Sequence, residues 1–157
     1  MKIVSGGQTG VDMAALDFAH ENDLTYGGWV PRGRRNEAGL IPDHLTGLVE
    51  TATEKVAERT QRNAIDSDAT LIFQSGSASP GTQLTVTFAQ EAGKPYLIVD
   101  LRDGPEACAR RIKAWLLDNT IDVLNIAGPR ASEAPGIGVK VRATLAKILD
   151  QLRETSI

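Results

Sequence analysis

At 157 residues the chain is long enough to bury a core without disulfides or a structural metal, so a single domain over residues 1–157 is expected. Hydrophobic residues at 41% and charged residues at 24% are ordinary globular usage, and no apolar run approaches the roughly 18 residues of a membrane span. A net charge of −3 with 4% aromatics argues against nucleic acid as a partner, and the absence of a signal-like leader makes a cytoplasmic location the default expectation.

Strand-like runs fall at Lys2–Val4, Tyr26–Val30, Thr70–Phe73, Tyr96–Val99 and Val123–Ile126, with amphipathic stretches between most of them. This alternation predicts an α/β fold, a Rossmann-like three-layer sandwich with a mainly parallel central sheet flanked by helices. Val11, Ala14, Ala15, Phe18 and Ala19 give the stripe of a first helix on a sheet. Thr51 and Glu54 have capping-box spacing and predict a second helix from Thr51 to about Ile65, its polar surface including Arg59, Arg62 and Asn63. Leu84, Phe88 and Ala92 mark a third helix ending at Gly93, and a fourth spans about Pro105 to Asn119. There the lone Cys108 shares a face with Ile112, Trp115 and Leu116 and reads as core. Val141, Leu145, Ile148, Leu149 and Leu152 stripe a last helix that covers a sheet face and offers a partner contact.

In a parallel sheet the loops after the strands gather at one edge, where ligands bind. Ser5, Gly6, Gly7, Gln8, Thr9 and Gly10 follow the first strand; Ser75, Gly76, Ser79, Gly81 and Thr82 follow the third. Both loops open helices, whose free N–H groups and positive dipole ends suit a phosphate or another oxyanion. The competing reading of each is a tight strand-to-helix turn. Neither is a Walker A, and the first does not match G-x-G-x-x-G.

The long connection from Pro31 to Glu50 carries Arg32, Arg34 and Arg35, and the fifth strand is followed by Gly128-Pro129-Arg130. Guanidinium groups here are expected to close over the anion. Asp12 and Glu37 are weak candidates for a catalytic acid or base, Asp12 reading equally as a first-turn complement to the helix dipole. Asp66-Ser67-Asp68 reads as a cap and turn at the opposite edge, and Tyr26 and Trp29 are candidates for stacking on a base. Two histidines and one cysteine form no metal cluster.

Taken in order, "SGGQTGVDMAALDFA", "WVPRGRRNEAGLIP", "ERTQRNAIDSDATLIF", "GSASPGTQLT" and "LNIAGPRASEAPGI" resemble the "putative molybdenum carrier" family, a circularly permuted branch of the Rossmann-like SLOG superfamily. The resemblance implies a small anionic ligand, a nucleotide or the molybdenum cofactor. Gly6, Gly7, Thr9 and Gly10 would lie on one side of it and Gly81 and Thr82 on the other, while Arg32, Arg34, Glu37 and Arg130 match further motif positions. The superfamily also implies a homo-oligomer. Its phosphoribohydrolases, which cleave the N-glycosidic bond of nucleoside monophosphates, suggest the alternative of an enzyme. They carry P-G-G-x-G-T-x-x-E, and here the glutamate position is Thr85 and the double glycine is missing.

Overall fold

The computed structural model describes residues 1–155. Strand β1 (Lys2–Val4) leads into helix α1 (Val11–Glu21) and strand β2 (Tyr26–Val30). A two-residue-per-arm hairpin follows, β3 (Arg35–Asn36) and β4 (Gly39–Leu40), and then β5 (Leu48–Glu50). The chain continues through α2 (Val56–Asp66), β6 (Ala69–Gln74), α3 (Pro80–Glu91), β7 (Tyr96–Asp100), α4 (Pro105–Asp118), β8 (Val123–Ala127) and α5 (Ile137–Thr155).

Six strands form one parallel sheet in the order β5-β2-β1-β8-β6-β7. The first and last strands are therefore neighbours: Ile3 is in register with Tyr26 on one side and with Leu124 on the other. Helices cover both faces, which gives the Rossmann-like three-layer sandwich. Helices α1, α4 and α5 pack together on one face, and α2 and α3 on the other.

The two faces differ in chemistry because side chains alternate along a strand. Leu71, Phe73, Leu124 and Ile126 point into the main core with Ala15, Ile112 and Val141, and Cys108 is buried there as expected. On the α2/α3 side, Thr70 and Asn125 meet beneath the helices, Asn125 Nδ2 donating to Thr70 Oγ1 at 3.3 Å. The α2/α3 face of the sheet is thus the more polar of the two. The α5 stripe, expected to offer a partner contact, lies within this chain against α1 and α4.

Three expectations change. Helix α2 starts at Val56, not Thr51, because Thr51 belongs to the sheet edge: its N–H donates to the Val30 carbonyl at 2.8 Å and its hydroxyl to the Thr53 carbonyl at 2.9 Å. Arg59 and Asn63, expected on a solvated face, are buried at 8% and 3% exposure. On α3 the buried stripe is Thr82, Thr85 and Ala89 rather than Leu84, Phe88 and Ala92, since this helix lies on the polar face. No helix among the described residues is long and apolar enough to cross a membrane.

Candidate functional site

The loop from β1 to α1 is shaped by what packs on it. Ser5 is buried and donates its hydroxyl to the Ile126 carbonyl at 2.5 Å, fastening β1 to β8. A Cβ on Gly6 would stand 1.9 Å from a terminal nitrogen of Arg59, so the missing side chain is the space the guanidinium occupies. Gly7 (φ +77°) packs against Val30 and Ile41. Gly10 (φ +79°) lies against Pro129 and Ala131, where a Cβ would come within 2.5 Å of the Pro129 carbonyl oxygen. The three glycines thus serve close packing, and backbone donors around the start of α1 already have partners within the protein: Val11 N–H donates to the Pro129 carbonyl at 3.2 Å and Gln8 N–H to Asp12 at 3.2 Å.

Arg59 from α2 and Asp12 from α1 form a buried ion pair, Nη1 to Oδ2 at 2.9 Å. Burial pushes the Asp12 carboxyl above the usual carboxylate range; the Arg59 charge and the Gln8 N–H pull it back part of the way. This pairing removes Asp12 from the role of a free base. The Arg59 Nε is buried with no hydrogen-bond partner among the described residues. A buried, unpartnered donor on a cation is costly unless something else accepts its proton.

Arg59 lines a cleft of about 220 Å³ over the C-terminal end of β8. Gly6, Gln8 and Asp12 form one side and Ser79, Pro80 and Gly81 another, while Asn125 to Gly128 make the floor. Val56, Arg59, Thr60 and Asn63 close it from α2, Leu84 and Thr85 from α3, and Arg130 and Glu133 from the loop before α5. Helix α3 is capped by Ser79, whose hydroxyl accepts from Thr82 N–H at 3.2 Å, with Pro80 at the first helical position. Thr82 is buried in this cap. At the position where a phosphoribohydrolase has its glutamate, Thr85 donates its hydroxyl to the Gly81 carbonyl at 3.0 Å.

The sequence-derived site therefore splits. Gly6, Gln8, Ser79, Gly81, Arg130 and Asp12 line the cleft; Ser5, Gly7, Gly10 and Thr82 support its walls. Ser75 and Gly76 stand off it, Gly76 N–H reaching Asp100 at 3.4 Å. The arginine loop does not close over the cleft. Arg34 (φ +53°) donates to the Pro42 and Leu45 carbonyls at 3.3 and 3.2 Å, and Arg32 is exposed with its N–H on the Thr53 carbonyl. The guanidinium inside the cleft is that of Arg59, from α2.

Glu37 at the hairpin tip is a latch. It accepts from the Thr9 hydroxyl, from Ser132 N–H at 3.0 Å and from the Ser132 hydroxyl at 2.6 Å, with Arg130 Nε at 3.7 Å. The Ser132 hydroxyl first, and then that of Thr9, holds the Glu37 carboxyl below the usual range, which suits an ionised acceptor and not a proton carrier. Alongside, Asn36 Nδ2 donates to the Gly7 carbonyl at 2.9 Å and Glu37 N–H to Gln8 Oε1 at 3.0 Å. The hairpin thereby presses the glycine loop in place.

Trp29 is committed elsewhere: its Nε1 donates to Asp66 at 2.7 Å and Arg62 lies 4.4 Å above its ring. Tyr26 packs edge-on against His20. Among the described residues no group of three or more His, Cys, Asp or Glu is placed to hold a metal ion.

The α2 contribution had one legible signal. Val56, Arg59, Thr60 and Asn63 lie at i, i+3, i+4 and i+7, a single helical stripe, but this mostly polar helix shows no clear apolar face to orient it.

Comparison with known proteins agrees with this architecture. The crystal structure of a "Putative molybdenum carrier protein" from Syntrophus aciditrophicus SB is 45% identical, with a TM-score of 0.91 over 94% of each chain. No curated protein matches. Residues 3–149 match the circularly permutated YpsA SLOG family, and the placement of β1 beside the last strand of the sheet is what a permuted Rossmann-like chain requires. The chain belongs to the circularly permutated YpsA SLOG family.

Proposed function

We propose that this protein binds a small oxyanion- or phosphate-bearing ligand, a nucleotide or the molybdenum cofactor, in the cleft between α2 and α3, and acts as a carrier. The observation that carries the reading is Arg59, a buried guanidinium that lines the cleft and whose Nε has no hydrogen-bond partner among the described residues. An anionic oxygen in the cleft would pair with this guanidinium's charge. Arg130, half-exposed at the rim, adds a second guanidinium, there paired with Glu133 at 3.4 Å and Glu37 at 3.7 Å, and Ser79 and Gly81 line the cleft as well.

The donor set fits an oxyanion better than a bare metal. No histidine or cysteine lines the cleft, so molybdenum as cargo would be held through its oxo groups or through the phosphate of a pterin cofactor. The structural neighbour's description as a molybdenum carrier supports this choice of cargo.

Thermal unfolding with molybdate, phosphate, nucleoside monophosphates and molybdenum cofactor tests the proposal. A ligand at about 100 times its dissociation constant adds roughly 2.7 kcal/mol. For a chain of this size that is a rise of about 5–10 °C. A panel that leaves the melting temperature unmoved sinks the carrier reading, and release of free base from a nucleoside monophosphate replaces it with the hydrolase.

A further inference from the structure

Four ionisable side chains line the cleft: Asp12 and Arg59, paired at 2.9 Å, and Glu133 and Arg130, paired at 3.4 Å. Two acids answer two guanidiniums, so the lining carries no net charge. An anion that reaches Arg59 therefore enters a neutral cleft and finds the guanidinium already holding a carboxylate.

Where two like charges share one buried site, one of them gains affinity for a proton. The surroundings make Asp12 the group that yields. Its side chain is 5% exposed against 33% for Glu133, whose charge water can screen. Arg59 from α2 is the cation it touches, while β1 and β8 bring the uncharged Ser5 and Asn125 to this end of the sheet and α3 brings Ser79 and Thr85. Glu37 from the hairpin is held ionised by the Thr9 and Ser132 hydroxyls, and Asp17, the next acid on α1, lies 3.8 Å from His44. Burial already pushes the Asp12 carboxyl up, and an anion beside Arg59 acts in the same direction.

We propose that Asp12 couples ligand binding to protons: when an oxyanion reaches Arg59, the Asp12 carboxylate takes one proton from solvent, so that ligand and proton enter the cleft together and leave it together. The inference rests on the anion-binding reading above and adds the regulation of that site. By linkage, a proton bound in the complex and not in the free protein makes affinity fall as pH rises, by up to about tenfold per pH unit. A carrier built this way loads under acid conditions and unloads as the pH climbs.

Isothermal titration with inorganic sulfate and adenosine 5′-sulfate, whose charges are fixed near neutral pH, tests the coupling. Measured in two buffers of different ionisation heat, binding should take up as much as one proton per ligand, and affinity should fall between about pH 5 and 8. In protein labelled with carbon-13 at its carboxyl groups, saturating sulfate should raise the titration midpoint of Asp12 by about one pH unit or more. Glu133→Gln should keep the proton uptake and Asp12→Asn should lose it, with a circular dichroism melt to check folding; the labelled protein reads Asp12 without any substitution. Binding without proton uptake, or an Asp12 midpoint that sulfate leaves in place, overturns the coupling and leaves the anion site standing. Uptake that persists in Asp12→Asn also overturns it. Failure of both probes to bind at any pH overturns the coupling and the anion site together.

Discussion

Asp12 and Arg59 meet at 2.9 Å beneath the cleft from helices 47 positions apart in the chain, and the guanidinium rests in the space left by Gly6. Three residues thus fix one charge at the cleft wall: the carboxylate holds one guanidinium nitrogen, the glycine admits the group, and the Nε has no partner among the described residues.

Gly6→Ala should break this arrangement. The new Cβ would overlap Arg59 Nη1 and lie 2.9 Å from its Cδ, so the side chain must leave its seat. The expected cost is about 1–3 kcal/mol, the range for overpacking a filled site, together with lost affinity for phosphate. Urea unfolding and phosphate titration measure the two effects. Gly81→Ala is the contrast: its Cβ would have only the Ser79 hydroxyl oxygen within reach, at 4.0 Å, so stability should hold.

Arg59→Met should cost about 3–5 kcal/mol, because it strands a buried carboxylate. Asp12→Asn/Arg59→Met should recover much of that loss, since neither group is then charged. A double-mutant cycle in urea gives the coupling, and additive single effects would refute the buried pair.

Acid sensitivity should trace in part to Asp100. Arg102 pairs with it at 2.7 Å and, with its own backbone N–H, holds the carboxyl down from 3.8 to about 2. A carboxyl lowered on folding stabilises fully above its unfolded value, and that contribution disappears as pH falls from about 4 toward 2. Asp100→Asn should therefore lower the urea midpoint at pH 6 and flatten its decline between about pH 4 and 2. The raised Asp12 carboxyl has the opposite sign: its ionisation costs stability as pH rises above its unfolded value of 3.8, so protonating it does not drive acid unfolding.

Cys108 should resist alkylation in the native state. Burial, and then the charges of Asp103 and Asp100, push its thiol up, so little thiolate exists at pH 8. Its hydrogen points to the Asp100 carbonyl at 3.3 Å. Iodoacetamide should react at the rate of global unfolding and promptly in urea; fast labelling of the native protein would contradict the buried assignment.

Glu37→Gln should loosen the hairpin and leave the core intact. Removing the charge weakens the acceptor shared by Thr9 and Ser132, so amide exchange at residues 33–40 should speed up while the melting temperature barely moves. Slowing of hairpin exchange would contradict the latch.

Helix α1 and five of the six sheet strands were legible in the sequence because each carries a strong local pattern: Val11 to Ala19 as a stripe, Thr70 to Phe73 as a buried run. Strand β5 was not, since Leu48–Glu50 is too short to show alternation and gains its identity only by pairing Leu48 with Gly28. The glycine loops were found by their composition, but their reason was not. Gly6 and Gly10 answer to Arg59 and Pro129, contacts that no local window contains. Arg59 was hardest to place, because a polar residue on a polar helix looks solvated until its partner 47 residues away is known. The arginines of the Pro31 to Glu50 connection had the right chemistry in the wrong place, for Arg34 completes its own loop instead.

The strand order also sets a timetable. Until β8 is synthesised, the nascent chain holds two separate half-sheets, β5-β2-β1 and β6-β7, whose inner edges at β1 and β6 have nothing to pair with. Strand β8 joins both, Lys2 to Val123 on one side and Thr70 to Asn125 on the other, and it also brings the cleft floor. The cleft is thus completed only when β8 leaves the ribosome, and two open edges must be kept from other chains until then.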